Sequence, residues 1–155
     1  MKHVVIFLLL LLLLPLHGLC QTGESFTTDS CIPINRIDFV VFECIDINIM
    51  TVVNILPCVF DNYYSDKTKR YTIQNKDTIN TLTKCINDNI YGDISDGIDT
   101  RGKIIIHYSE FKPDTVYYGA NDFFFRGKYF LITSCMRSLI DSINTSLFQN
   151  DGIDK

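Results

Sequence analysis

Apolar and polar positions sort this chain into one long apolar run followed by many short, punctuated segments. Val4 to Leu14 is unbroken apolar sequence behind Met1-Lys2-His3. From Ile37 to Val53 the chain is dense in Ile, Val and Phe, and Cys44-Ile45-Asp46-Ile47-Asn48-Ile49 alternates with period two, which predicts a half-buried strand. Pro57 closes that region, because proline cannot donate to a ladder. Asp61 to Arg70 reads as a polar turn, and Arg70 to Gln74 alternates again. Thr78 to Cys85 fits a strand or a short helix. Lys103 to Tyr108 is a strong strand, Lys112-Pro113-Asp114 a turn, and Thr115 to Tyr118 a further strand. Gly119 to Asp122 turns, Phe123-Phe124-Phe125 follows, and Tyr129 to Thr133 reads as a strand after Arg126-Gly127-Lys128. Arg137 to Phe148 fits a strand or an amphipathic helix. Short strands near ten-residue spacing predict an all-β fold, an antiparallel sandwich or barrel, in one domain.

The first run changes the picture of where the protein works. A basic start, an apolar run of eleven residues and Gly18-Leu19-Cys20 make a signal-peptide pattern, with residues 1–20 removed and Gln21 the new N-terminus. Such a run is too short to span about 30 Å of hydrocarbon. The expected mature chain, residues 21–155, is one secreted or lumenal domain.

Composition narrows the function classes. The chain has 155 residues, 46% of them hydrophobic, and a formal net charge of −4. Removing Lys2 with the leader leaves about −5 by the same counting. An acidic chain without a basic face is a poor nucleic-acid binder. Charge is too low and hydrophobicity too high for a disordered segment.

Catalytic motifs are missing. There is no GxSxG elbow, Walker A loop, HExxH or GxGxxG, so no enzyme activity is expected. His107, the only histidine of the mature chain, sits inside an apolar strand, where a structural role is expected. Without CxxC pairs, no metal site or cofactor is expected. Asn87 to Gly102 carries many aspartates without the spacing of a calcium loop, and reads as a solvated loop. Lys67, Lys69 and Arg70 form a basic cluster, and Asn144-Thr145-Ser146 is a glycosylation sequon expected at a surface. The aromatics around Phe123-Phe124-Phe125 cannot all share one strand face. Either both faces are covered, or some line a cavity or an exposed patch.

Three groups of residues resemble the ML (lipid-recognition) domain family. They are Cys31, Cys44 and Pro57-Cys58; Lys112-Pro113-Asp114-Thr115-Val116-Tyr117-Tyr118; and Phe125-Arg126-Gly127-Lys128-Tyr129-Phe130-Leu131. The chain departs from that family in carrying Cys85 alone where a middle cysteine pair is usual. Asn89-Ile90-Tyr91-Gly92 and Phe125-Arg126-Gly127 also resemble the βγ-crystallin Greek-key corner. The first resemblance implies an immunoglobulin-like β-sandwich stapled by disulfides Cys31–Cys58 and Cys44–Cys135. Cys85 is left as a free thiol or the link of a disulfide-bonded dimer. It further implies a lipid or other apolar small molecule held between two sheets. The lining would be Tyr71, Ile73, Ile104, Ile106, Tyr117, Phe123, Phe125, Tyr129 and Leu131, with Lys67, Lys69 and Arg70 at the rim. The competing expectation is a secreted protein-interaction module with a filled core, in which the aromatic patch meets a protein such as a cell-surface receptor.

Overall fold

The structure is a computed structural model, and it describes residues 31–46, 48, 49, 51, 53–90 and 97–148. The expected leader (1–20), the polar segment after it and the centre of the aspartate-rich loop lie outside the described residues. Six strands form one antiparallel sheet: β1 (Ile37–Cys44), β2 (Lys69–Ile73), β3 (Gly102–Tyr108), β4 (Asp114–Tyr118), β5 (Asp122–Phe125) and β6 (Lys128–Leu131). Their order across the sheet is β2-β1-β3-β4-β5-β6, so β3 to β6 form a simple meander. Among the described residues three α-helices accompany the sheet: the single turn α1 (Phe60–Tyr63), then α2 (Lys76–Ile90) and α3 (Ser134–Phe148).

Two segments that fitted either a strand or a helix are helical, for a local reason. In α2 the buried residues are Ile79, Leu82, Thr83, Cys85 and Ile86, of which Ile79, Leu82, Thr83 and Ile86 have the spacing of one helical face. Asn75 Oδ1 accepts from Thr78 N at 3.0 Å and starts the helix. In α3, Met136, Ile140, Ile143 and Asn144 are buried, again at helical spacing. Thr133 precedes that helix, its carbonyl accepting from Arg137 N at 3.0 Å.

These two helices supply the second layer, so the described residues contain one sheet backed by helices rather than two facing sheets. From the sheet, Val40, Phe42, Ile73, Ile104, Ile106, Val116, Phe123, Phe125 and Phe130 enter the core. Leu82, Ile86, Met136, Ile140 and Ile143 meet them from the helices. The side chains assigned to a ligand cavity are therefore divided. Ile73, Ile104, Ile106, Phe123 and Phe125 are buried against helices, while Tyr71 is exposed on the edge strand β2. Burying each large apolar side chain contributes roughly 1.5–3 kcal/mol, which is how α2 and α3 hold to the sheet.

The strand expected at 44–49 ends at Cys44. Asp46 Oδ1 there takes the backbone N–H of Asn48 at 2.9 Å, and this side-chain turn competes with sheet pairing. At the β5–β6 hairpin, Arg126 (φ 47°) and Gly127 (φ 81°) are both left-handed. Phe125 pairs with Lys128 across them, the two-residue loop that suits the twist of antiparallel strands.

The disulfide is Cys85–Cys135, with a Cα–Cα distance of 5.8 Å, tying α2 to the start of α3. It corrects the implied Cys44–Cys135 pairing and removes Cys85 as the interchain thiol. The structure joins Cys31 to no Cys58, and Cys44 to no Cys135; Cys31 and Cys58 are exposed. Cys44 is buried instead, its sulfur hydrogen-bonded by Tyr118 and Asn144. Burial pushes its thiol up, away from the reactive thiolate. Gly102 is what allows this packing: a Cβ there would stand 2.4 Å from the Tyr118 ring and hydroxyl. Asn144 is only 6% exposed, and its Nδ2 donates to Ile45 O at 2.9 Å. The sequon is thus not at the surface expected of it, and the nitrogen that would carry a glycan is held inside the fold. A disulfide is compatible with an extracellular or lumenal location, and no described helix is long and apolar enough to cross a membrane.

Candidate functional site

Strand alternation that sends one set of side chains to the helices sends the other set to the outer face of the sheet. One row of that face crosses all six strands in register: Arg70, Glu43, Lys103, Tyr117, Phe124 and Tyr129. Its two halves differ in chemistry. Arg70 and Lys103 both bind Glu43, at 2.8 and 2.9 Å, and Lys103 Nζ also reaches Asp61 Oδ1 at 2.6 Å. Burial acts against the Lys103 ammonium, but the bonds and charges of Asp61 and Glu43 outweigh it and hold its pKa up. The other half is aromatic. Phe124 lies 6.4 Å from Tyr117 and 4.9 Å from Tyr129 between ring centres, both pairs tilted. All three rings are partly exposed.

A second row runs beside it. Phe39 stacks on His107 at 4.3 Å with 14° between the ring planes, and Ile105 lies between His107 and Lys103 on β3. Leu131, 44% exposed, ends the face on β6. Six of its side chains are therefore large, apolar or aromatic and only partly covered: Phe39, Ile105, Tyr117, Phe124, Tyr129 and Leu131.

Among the described residues, one loop segment covers one end of the face. The chain between β1 and β2 lays Ile45, Ile55, Phe60 and Tyr64 into a small second cluster against Tyr117. It is tied down by polar bonds: Thr100 N donates to Ile55 O at 2.8 Å, and Asp99 Oδ1 accepts from Ile55 N at 2.9 Å. Arg101 holds Asp99 on one side and the Ile49 carbonyl on the other. The Tyr64 hydroxyl is pushed up chiefly by burial. On the helix-facing side of the sheet, Asp114 Oδ2 accepts from both Tyr108 Oη and Arg126, each at 2.8 Å. Burial, and then that carboxylate, push the Tyr108 hydroxyl far above its ordinary range. These charges are engaged in holding strands and turns together.

The basic cluster is dispersed. Lys67 is exposed in the turn before β2, Lys69 Nζ donates to the Leu147 carbonyl at 2.7 Å near the end of α3, and Arg70 joins the Glu43 row. Of the expected lining residues, Tyr117, Tyr129 and Leu131 share the outer face. Phe124 joins them there, although the sequence reading picked its neighbours Phe123 and Phe125. Phe39 and His107 were passed over too. The phase of three consecutive phenylalanines is invisible until the partner strands are known. Among the described residues no group of three or more His, Cys, Asp or Glu could hold a metal ion.

Comparison of the chain with protein-family models, with curated proteins and with solved structures finds no match.

Proposed function

We propose that this chain is an exported protein-interaction module that engages a protein partner through the outer face of its sheet. The observation that carries the reading is the Tyr117–Phe124–Tyr129 row, three neighbouring aromatics on a face whose other side already holds a filled core. Tyrosine and phenylalanine supply large contact area with few rotatable bonds, which is why such residues concentrate where proteins meet. The charged half of the row is internally balanced, so the partner surface it fits is apolar at its centre. The helix-filled core supports this reading over a lipid held between two sheets.

The test is binding of the full chain to an array of extracellular protein domains, with Phe124→Ser/Tyr129→Ser as the comparison. We expect a saturable protein partner whose affinity falls at least tenfold in the double variant. That loss corresponds to about 1.4 kcal/mol, within the usual cost of truncating interface aromatics. Phosphatidylcholine vesicles and a fluorescent fatty acid are run in parallel. If the wild type takes up either probe, and the double variant loses it, the apolar-ligand reading replaces this one. If the double variant binds its partner as the wild type does, the outer face is not the site.

A further inference from the structure

Asn144-Thr145-Ser146 is the one N-glycosylation sequon of the chain, and the fold uses both groups that define it. Asn144 lies on the buried side of α3 with Met136, Ile140 and Ile143. Its Nδ2 donates to the Ile45 carbonyl at 2.9 Å, and its side chain also reaches the buried Cys44 sulfur. The Ser146 hydroxyl donates to the Ile143 carbonyl at 2.8 Å. Residues two apart on a helix do not face each other, and accordingly Asn144 is buried while Ser146 is exposed. A transferase that must hold the amide and the hydroxyl in one active site can do so only after this stretch of α3 has left the sheet and unwound. The helix is tethered against that movement: Cys135, in its first turn and nine positions before Asn144, is bonded to Cys85 on α2.

We propose that Asn144 is a fold-gated glycan acceptor, modified only in chains whose α3 has not docked and left bare in the docked, disulfide-closed chain. The substrate class is an oligosaccharide carried on a lipid diphosphate. In the transfer, C1 of the first sugar bonds to Asn144 Nδ2, the bond from C1 to the diphosphate oxygen breaks, and Nδ2 gives up one proton. The lipid diphosphate leaves. A glycan is bulky and hydrated, whereas Asn144 is 6% exposed and its nitrogen points at the Ile45 carbonyl. The sugar and the docked helix need the same space, so modification and docking exclude each other. A modified chain is thereby held open, and opening uncovers Cys44, a fully buried thiol against which Asn144 and Tyr118 lie. Closing the Cys85–Cys135 bond before transfer commits the chain to the bare form. This inference rests on the export part of the reading above, since the transferase works in the secretory pathway, and not on the outer-face contact.

The experiment expresses the full chain in cultured animal cells and reads the glycosidase-sensitive mobility shift of chains in the cells and the medium. Secreted wild type should carry the glycan on less than about a tenth of its molecules. Cys85→Ser/Cys135→Ser should raise the glycosylated fraction at least fivefold, and adding Asn144→Gln should abolish the shift. Because that cysteine variant can simply unfold, the wild-type molecules are also sorted by glycan, labelled with a maleimide without denaturant and mapped. Cys44 should be labelled in the glycosylated molecules and protected in the rest. The inference is overturned by a glycan on molecules that keep Cys85–Cys135 closed and Cys44 protected, or by a cysteine variant no more glycosylated than the wild type. Asp66→Asn, which turns the exposed Asp66-Lys67-Thr68 into a second sequon, is the control for access. If that site is glycosylated and either overturning result is found, gating alone fails. If it gains no glycan, the chain does not meet the transferase, and the export reading and this inference fall together.

Discussion

Phe123 and Phe124 are neighbours on β5, yet they belong to two different regions. Phe123 is fully buried on the helix-covered face, its ring stacked 4.9 Å from Phe130 with Val116, Met136 and Ile140 in the same core. Phe124 points to the outer face and is only partly covered by Tyr117 and Tyr129. The same residue type thus serves stability on one side and remains available for contact on the other. The difference lies in what the rest of the chain lays over each face: two long helices over one, a short looped segment over one end of the other.

Substitutions at the same strand position can break that comparison most sharply. Phe123→Ala should cost about 3–5 kcal/mol of stability, as for other buried aromatics. Phe124→Ala should cost about 1 kcal/mol or less, the scale of a cross-strand pair. Urea denaturation of both variants measures the difference, and equal costs would mean that the outer face is covered in solution.

The disulfide comes next, since it belongs to the helix layer alone. Its two cysteines are 50 residues apart, and closing such a loop contributes about 4 kcal/mol in the chain-entropy model. Cys85→Ser/Cys135→Ser should therefore lower the unfolding midpoint strongly. The Tyr117–Phe124–Tyr129 row should keep its partner binding when measured well below that midpoint. Loss of binding at full folding would show that the helix layer shapes the outer face directly.

Gly102→Ala sharpens the comparison at the backbone. The added methyl would meet the Tyr118 ring on the helix side, and overpacking of this kind costs about 1–3 kcal/mol. Repeating the substitution in Tyr118→Phe should relieve part of the cost, because the hydroxyl is one of the two closest atoms. Thermal melts of the single and double variants would show whether that coupling exists.

A smaller effect should appear in alkaline solution. Tyr118 and Tyr108 are pushed above the ordinary tyrosine value of 10.0, mainly by burial. Folding therefore holds protons that the unfolded chain releases above that value. Their contribution to stability is complete below pH 10 and is lost as pH rises beyond it. Lys103, held up by Asp61 and Glu43, acts in the same direction from its ordinary 10.5. The buried Cys44 thiol, pushed up from its ordinary 9.0, acts in the same direction, so melting temperature should begin to fall near pH 9 and fall more steeply above about 10. A midpoint that rose with pH in that range would contradict the burial of Tyr118.

Strand positions at Arg70–Gln74, Lys103–Tyr108 and Thr115–Tyr118 were legible because alternation or dense β-branched runs encode them locally. Thr78–Cys85 and Arg137–Phe148 were ambiguous. Their helical faces show only when Ile79, Leu82 and Ile86, or Met136, Ile140 and Ile143, are seen to meet one sheet. A second sheet was inferred where helices stand, because a short apolar run fits either element.

What the sequence determined by itself was local: a leader-like start, an acidic chain rich in strands, and side-chain alternation that must split consecutive aromatics between two faces. What only the tertiary structure decided was which face is which, and which cysteines meet. Cys85 and Cys135 sit far apart in sequence and come together because α2 and α3 cover the same side of the sheet. Tyr117, Phe124 and Tyr129 line up because antiparallel register places them opposite one another. Contacts of that kind depend on the relative placement of elements, and a one-residue change of register would send each ring to the opposite side.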